Sequence, residues 1–176
     1  TDVSDWSYFI VDGLTYTRTD KTYPNDFYGI QDGWFLFDIH RGVVWYYVIC
    51  DLVEYDDVRI DARVENLGGN DSTATLVCRY TEGVGFYEFN MFNDGQYQIL
   101  FSDLYGTTNI IADGGSNFIK TGQAINEYTA ICQGNTLTLY VNGNLVKQAK
   151  DDSSILSTCK IWIGEAWSDY AAKVRF

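Results

Sequence analysis

Histidine, proline and methionine are almost missing from this chain of 176 residues, which contains one of each. A metal site built from several histidines is therefore excluded, and a Ser-His-Asp triad would have to use His40. His40 precedes Arg41 and Gly42 between two apolar runs, a pattern typical of an exposed turn. No Gly-x-Ser-x-Gly motif accompanies it, so the sequence does not favour a serine hydrolase.

Positive charge and long apolar runs are scarce as well. The chain has 12 Lys and Arg against 24 Asp and Glu, which gives a formal net charge of -12. Proteins that bind nucleic acids need a basic surface for the phosphate backbone, so a nucleic-acid partner is excluded. The longest apolar run, residues 42–50, is far shorter than the roughly 20 residues of a membrane-spanning helix, so we expect no membrane insertion.

Four cysteines, Cys50, Cys78, Cys132 and Cys159, are spread widely along the chain. No two of them form a Cys-x-x-Cys pair, which excludes a zinc ribbon and a thioredoxin-type redox motif. An even number of cysteines, together with many Tyr and Asn, favours an oxidising compartment and so an extracellular or cell-surface location. All four are candidates for disulfide bonds. Three pairings are possible, and the alternative of four buried free thiols stays open.

Alternation with a period of two residues dominates the apolar pattern, and no window has the spacing of an amphipathic helix. Runs rich in β-branched and aromatic residues predict strands at residues 6–11, 33–39, 43–49, 57–64, 73–79, 85–92, 96–101, 107–111, 127–132, 136–141, 144–148, 160–164 and 172–176. Residues 15–32 lack this alternation, and we predict a long irregular loop there. Short strands of this kind, separated by turns, predict an all-β sandwich or barrel, and the length suits a single domain over residues 1–176.

Three turns predict that neighbouring strands pair as antiparallel hairpins. They are Asn142-Gly143, Asn93-Asp94-Gly95 and Gly134-Asn135. Asn and Gly tolerate the positive φ that tight hairpin turns require. Between residues 85 and 92, alternation places Tyr87 on one face of the strand and Glu88 and Asn90 on the other. Each strand thus has an apolar face and a face that mixes aromatic and polar residues.

Four stretches resemble one known family. They are Leu76-Val77-Cys78-Arg79-Tyr80, Gly85-Phe86-Tyr87-Glu88-Phe89, Asp94-Gly95-Gln96-Tyr97 and Asn135-Thr136-Leu137-Thr138-Leu139-Tyr140-Val141-Asn142-Gly143. In series they resemble the concanavalin A-like lectin and glucanase superfamily, in particular the laminin G-like and DUF1080-type domains of bacterial extracellular proteins, which are similar to glycoside hydrolase family 16. The resemblance covers residues 57–149 well and the remainder loosely. It implies a jelly roll of two antiparallel sheets, one concave and one convex, that binds glycans, proteins or other surfaces and in some members hydrolyses glycans.

The resemblance also implies a disulfide bond and a metal site. Cys78 and Cys132 both fall in central strands of the resembling region, so we predict that they bridge. Many members bind Ca²⁺ near the rim, and Ca²⁺ prefers oxygen ligands from carboxylates, amides and carbonyls. Loops rich in Asp and Asn offer such ligands, and Asn70, Asp71 and Asp151 are the candidates. The alternative is that these residues simply form turns.

Carbohydrate recognition uses flat aromatic faces against the C–H surfaces of sugars and polar side chains for the hydroxyl groups. The predicted ligand site takes stacking from Trp34, Tyr87, Trp162 and Trp167, and hydrogen bonds from Arg79, Glu88 and Asn90. The alternative is that these rings belong to the core, since aromatic residues favour strands with or without a ligand. The leading prediction is a non-enzymatic extracellular module that binds a glycan or another cell-surface polymer.

Two other functions remain open. One is a structural or adhesive subunit of a surface layer or filament, which self-associates through its aromatic surfaces. The other is a glycoside hydrolase, which needs two carboxylates facing the scissile bond. The catalytic strand of family 16 enzymes resembles Glu-x-Asp-x-x-Glu, and residues 54–59 match it except that Arg59 stands at the last position. The missing carboxylate disfavours hydrolysis.

Overall fold

The computed structural model describes residues 6–12, 17–19, 23–68, 72–81, 83–103, 107–152, 159–166 and 172–176. Within these ranges, the side chains of residues 6, 9, 12, 17–19, 50–54, 159–162 and 165–166 lie outside the described part. The described residues form fifteen strands, and none of them belongs to a helix that could cross a membrane. The strands are β1 Trp6–Asp12, β2 Thr17–Thr19, β3 Phe27–Gln31, β4 Trp34–Ile39, β5 Val44–Tyr55, β6 Val58–Asn66, β7 Thr73–Thr81, β8 Gly85–Phe92, β9 Gln96–Asp103, β10 Thr108–Gly115, β11 Ile125–Gln133, β12 Thr136–Val141, β13 Asn144–Lys150, β14 Cys159–Ala166 and β15 Ala172–Arg175.

The strands form two antiparallel sheets that pack as a jelly-roll sandwich, which confirms the predicted fold class. The eight-stranded sheet has the order β10-β9-β8-β7-β14-β5-β1-β2, and the seven-stranded sheet has the order β13-β12-β11-β6-β15-β4-β3. Side chains alternate between the two sides of a strand, so each sheet has one side in the core and one side turned outward.

The core lies between the sheets and is built from alternate residues of the central strands. Leu76 and Phe89 of the eight-stranded sheet pack in one cluster with Ala130 and Leu139 of the seven-stranded sheet, and all four are fully buried. Burial of a side chain such as Leu139 contributes about 1.5–3 kcal/mol to stability. A second cluster, which includes Ile10 and Tyr46, lies around β1, β4 and β5.

A disulfide bond between Cys78 and Cys132 crosses the core, as predicted. It joins β7 of one sheet to β11 of the other, with 6.7 Å between the two Cα atoms, and both residues are fully buried. The side chains of Cys50 and Cys159 lie outside the described residues, so their pairing stays a prediction. The bond ties the two sheets together at the centre of the molecule.

The three predicted hairpins are present, and the hairpin of β3 and β4 was missed. The strand pairs β8–β9, β11–β12 and β12–β13 are all antiparallel, and Asn142 and Gly143 both have positive φ. The prediction of an irregular loop over residues 15–32 is wrong, because β2 and β3 lie within it. β3 pairs with β4 across Asp32-Gly33, whose φ angles are 52° and 80°. An Asp-Gly pair is a hairpin signal of the same kind as Asn-Gly.

Candidate functional site

The candidate site lies on the side of the eight-stranded sheet that points away from the seven-stranded sheet, which we call the open face. In register, Thr75 pairs with Asn90 and Val77 with Glu88, and paired residues share a face. Their neighbours along β7 and β8, such as Leu76, lie in the core. Alternation therefore turns these four residues outward.

A hydrogen-bond network of four side chains, the Glu88 network, occupies the middle of the open face. The hydroxyl of Tyr47 donates to Oε1 of Glu88 at 2.7 Å, and Nδ2 of Asn90 donates to Oε2 of Glu88 at 3.0 Å. The hydroxyl of Thr75 donates to Oδ1 of Asn90 at 2.6 Å. All four residues are buried, and Glu88 is 5% exposed. Each of these hydrogen bonds therefore forms away from water, where it is strong.

Tyr47 reaches Glu88 because a glycine lies between them. The strand order is β5-β14-β7-β8, so the two side chains and the hydrogen bond between them together span three inter-strand steps, roughly 14 Å. Gly164 of β14 pairs with Tyr47, and a Cβ at that position would lie 2.9 Å from Cδ1 of Tyr47 and 2.6 Å from the carbonyl oxygen of Tyr46. The missing side chain of Gly164 leaves the space in which the ring of Tyr47 lies across the sheet.

Aromatic and aliphatic side chains surround the network. The ring of Tyr47 meets Phe86 edge to face at 6.1 Å between centroids, and Tyr80 contacts Phe86 at 6.2 Å. These rings belong to a cluster with Val77, against which Ile49 and other residues of the open face pack. The open face thus combines apolar rings with a few polar groups at fixed positions.

The electrostatics of the network keep its phenol protonated. Burial, followed by the neighbouring Glu88 carboxylate, raises the pKa of Tyr47 well above its usual value. Burial also raises the pKa of Glu88, while the hydrogen bonds from Asn90 and Tyr47 act in the opposite direction. Among the described side chains of the open face there is no Lys or Arg. No cation within the described part therefore neutralises the carboxylate.

Of the predicted ligand residues, the structure brings Glu88 and Asn90 together in this network. Tyr87 lies one position earlier and points into the core, with 2% of its surface exposed. Its hydroxyl donates to Oδ2 of Asp151 at 3.0 Å, and its ring packs against Phe101. A ring in this position cannot offer a face to a ligand.

Arg79 points to one end of the sandwich. Its φ of 56° interrupts the alternation of β7, and the residue is 4% exposed. The guanidinium donates to the carbonyl oxygens of Asp56 and Gly134 and to Oδ1 of Asp57. Arg79 therefore clamps the turn between β5 and β6 to the turn between β11 and β12.

The predicted tryptophans are separated by the fold. Trp34 lies on the outer side of the seven-stranded sheet, where the guanidinium carbons of Arg175 and Arg63 lie 4.5 Å and 5.2 Å from its ring centroid. The backbone of Trp162 pairs with Ile49 and Val77, two residues of the open face, but its side chain lies outside the described residues. Trp167 lies wholly outside them. Trp34 and the Glu88 network are thus on opposite sides of the molecule.

The described residues offer no cluster for a metal ion. Within the described ranges, no group of three or more His, Cys, Asp and Glu side chains comes together. Asn70 and Asp71 lie outside these ranges. Asp151, the third calcium candidate, is 8% exposed and accepts the hydrogen bond from Tyr87. Its carboxylate therefore has a structural partner in the core.

The partial match to a hydrolase motif at residues 54–59 does not lie on one strand. It spans the turn from β5, in the eight-stranded sheet, to β6, in the seven-stranded sheet. Oδ1 of Asp57 accepts hydrogen bonds from Arg79 and from the backbone N–H of Gly134, so this carboxylate belongs to the end clamp. His40 is exposed, as predicted, with 54% of its side chain accessible.

Sequence reasoning missed Tyr47, Thr75 and Gly164 as parts of the site. Gly164 carried a signal, because a glycine inside a strand marks a close approach of other atoms. Nothing in the sequence connects Tyr47 with Glu88, which is 41 positions away.

Comparison with known proteins supports the fold. No protein-family model matches the chain, and no curated protein matches it in sequence. Its structure is similar to the carbohydrate-binding module CBM66 from Bacillus subtilis, with a TM-score of 0.70 and 14% identity over 97% of this chain and 91% of that one. It is also similar to the potassium-bound carbohydrate recognition domain of Emp46p, with a TM-score of 0.67 and 10% identity over 99% and 88%.

The structure is similar to that of an enzyme as well. A laminarinase from Flavobacterium sp. UMI-01 has a TM-score of 0.64 and 11% identity over 99% of this chain and 91% of that one. All three relatives have the concanavalin A-like jelly-roll fold, and this chain has it too.

Proposed function

We propose that this protein is a non-enzymatic, extracellular carbohydrate-binding module whose ligand lies on the open face. The observation that carries the proposal is the Glu88 network, set among aromatic rings on that face. A sugar ring presents apolar C–H surfaces and hydroxyl groups close together, so a surface that recognises it needs apolar rings beside fixed polar groups. The fold likeness to a carbohydrate-binding module and a carbohydrate recognition domain supports this proposal.

Within the proposed site, the polar and stacking roles fall to different strands. Glu88 and Asn90 of β8 supply the polar selectivity from the floor of the open face. Trp162 is our candidate for stacking, because its backbone position pairs with two residues of this face, and Trp167 follows it in the chain. Arg79, Tyr87 and Trp34 are left out of the proposed site because Arg79 points to the end of the sandwich, Tyr87 points into the core and Trp34 lies on the other sheet.

Hydrolysis is the second candidate, because the laminarinase and other glucanases share the fold. A retaining glycosidase needs two carboxyl groups about 5–5.5 Å apart, and an inverting one about 6.5–9.5 Å. Among the described side chains of the open face, the carboxylates are Glu88 and Asp113, which lies two strands away on the edge strand β10. Both oxygens of Glu88 already accept hydrogen bonds from protein groups. This arrangement favours binding over catalysis.

A glycan array tests the proposal directly. We expect the protein to bind at least one neutral oligosaccharide in a panel of laminari-, cello-, malto- and manno-oligosaccharides. Trp162→Ala should weaken that binding at least ten-fold, which corresponds to about 1.4 kcal/mol. Trp34→Ala is the matched control on the opposite side and should change the affinity less than two-fold.

Three results would contradict the proposal. Failure to bind any glycan would refute the proposal. Equal effects of the two tryptophan changes would show that the ligand does not lie on the open face. Release of reducing sugar from the bound glycan would identify the protein as a hydrolase. Size-exclusion chromatography separates the structural-subunit alternative, which requires polymers. Binding should be repeated with EDTA, because Asn70 and Asp71 remain candidates for Ca²⁺.

A further inference from the structure

We infer that the open face selects uncharged glycans and excludes those that carry uronate or sulfate groups, and that Glu88 is the residue that imposes this selection. The inference rests on the proposed function, since it concerns the ligand class of the same site. It concerns charge, which neither the fold nor the likeness to other structures specifies.

The first argument is that the carboxylate of Glu88 has no compensating cation within the described part of the face. Its partners, Tyr47 and Asn90, are neutral. Arg79 is close in sequence to Val77, the partner of Glu88 in register, but its guanidinium turns away to Asp57 at the end of the sandwich. In its ionised form Glu88 therefore places an uncompensated negative charge beneath whatever lies against this face, and that charge acts through a medium of low dielectric constant.

The second argument concerns the direction of the hydrogen bonds. Thr75 donates to Asn90, Asn90 donates to Glu88, and Tyr47 donates to Glu88. A carboxylate or sulfate on a ligand is bound by cations and by N–H or O–H donors. On this face Tyr47 and Asn90 direct donors at the protein's own carboxylate, and Thr75 directs its hydroxyl at Asn90. A ligand anion would find an acceptor where it needs a donor.

The third argument is that the two sides of the molecule differ. Arg59, Arg63, Lys173 and Arg175 alternate with core residues on β6 and β15 and so lie on the outer side of the seven-stranded sheet. Three of them pair there with Asp61, Asp38 and Glu65. The described cations on these strands thus lie away from the open face, while the side chains of Arg18 and Lys160 in the eight-stranded sheet lie outside the described residues. Selection by charge should accordingly depend on the open face and not on the net charge of -12 alone.

A pair of matched substitutions shows whether the preference for neutral glycans comes from Glu88 or from the net charge of the protein. Glu88→Gln removes one negative charge from the open face and keeps the shape of the side chain. Glu127→Gln removes the same charge from an exposed position that pairs with Arg63 on the other sheet. Both variants should be checked by circular dichroism before binding is measured.

The probes are neutral glycans and their charged derivatives on the same backbone, at pH 8. Laminarin is compared with sulfated laminarin and with laminarin oxidised to the uronate at C6, and cello- and malto-oligosaccharides are treated in the same way. We expect wild type and E127Q to bind the neutral form of the recognised backbone at least ten-fold more tightly than its charged forms. In E88Q that ratio should fall by at least five-fold.

A second variant keeps the test valid if E88Q does not fold. Gln98 pairs with Asn90 on the open face and is half-buried, so Gln98→Lys places a cation beside the network. We expect Q98K to reduce the preference for neutral glycans by at least five-fold. Gln148→Lys, at an exposed position on β13, is the matched control and should leave the preference unchanged.

The outcomes separate the two proposals. Binding to no glycan overturns the proposed function, and this inference with it. Equal binding of neutral and charged glycans by wild type overturns the inference alone. A neutral preference that E88Q and Q98K leave unchanged, or that E127Q and Q148K relax equally, shows that the net charge and not Glu88 sets the preference, and also overturns it.

Discussion

Removal of the bond between Cys78 and Cys132 should destabilise the protein by an amount that the structure defines. The two residues are 54 positions apart. Closing a loop of that length removes about 14 cal/mol/K of entropy from the unfolded chain, or about 4 kcal/mol at 25 °C. Both residues are fully buried, so each Cys→Ala change also leaves a void that costs about 1 kcal/mol.

Urea denaturation of wild type, C78A, C132A and the double variant measures this effect as a double-mutant cycle. Either single change removes the whole crosslink, so each should cost about 5 kcal/mol and the double variant about 6 kcal/mol, which corresponds to a coupling of about 4 kcal/mol. With a typical slope of about 2 kcal/mol/M, each midpoint should fall by roughly 2–3 M. Small additive losses, or peptide mapping that pairs Cys78 with another cysteine, would refute the reasoning.

Three further changes test other parts of the fold. Gly164→Ala should lower the free energy of unfolding by about 2–3 kcal/mol, because the new Cβ meets the ring of Tyr47. The control is Gly115→Ala, where a Cβ has room, and it should cost under about 1 kcal/mol. Equal losses in the two variants would contradict this explanation. Arg79→Met should cost about 3 kcal/mol in urea denaturation, since the partly buried carbonyl oxygens of Asp56 and Gly134 lose a charged donor, and a loss under about 1 kcal/mol would count against the clamp. Burial and, second to it, the hydrogen bond with Tyr8 raise the pKa of Tyr28 to about 12. The contribution of Tyr28 to stability is therefore full below about pH 10 and is lost as the pH rises toward 12. In Tyr28→Phe the free energy of unfolding should fall less steeply over this range, and an unchanged pH dependence would disprove the prediction.

Most strands could be predicted because every second side chain of each strand faces the core. The pattern at residues 85–92 and 136–141 gave the bounds of β8 and β12 without error, since both strands are flanked by Gly or Asn turns. β3 was missed because its residues are exposed or half-buried in no regular alternation. The Asp32-Gly33 turn was the better signal in that region.

The candidate site was predictable only in part. The alternation of β8 correctly separated Glu88 and Asn90 from Tyr87, so two of the polar residues could be assigned to one face. The direction of the Arg79 side chain could not be predicted from alternation, because a positive φ inside β7 turns it toward the end of the sandwich. The contact between Tyr47 and Glu88 depends on the order of four strands in the sheet, and that order is a property of the tertiary fold.

The way in which Tyr47 lies over Gly164 bears on protein engineering. The ring is held by Gly164 beneath it, by Phe86 at its edge and by Glu88 at its hydroxyl. A combinatorial library aimed at new ligands would therefore retain positions 47, 88 and 164 as scaffold and randomise the surrounding residues instead. Clones that altered position 164 would enter the selection with a folding stability already lowered by about 2–3 kcal/mol or more.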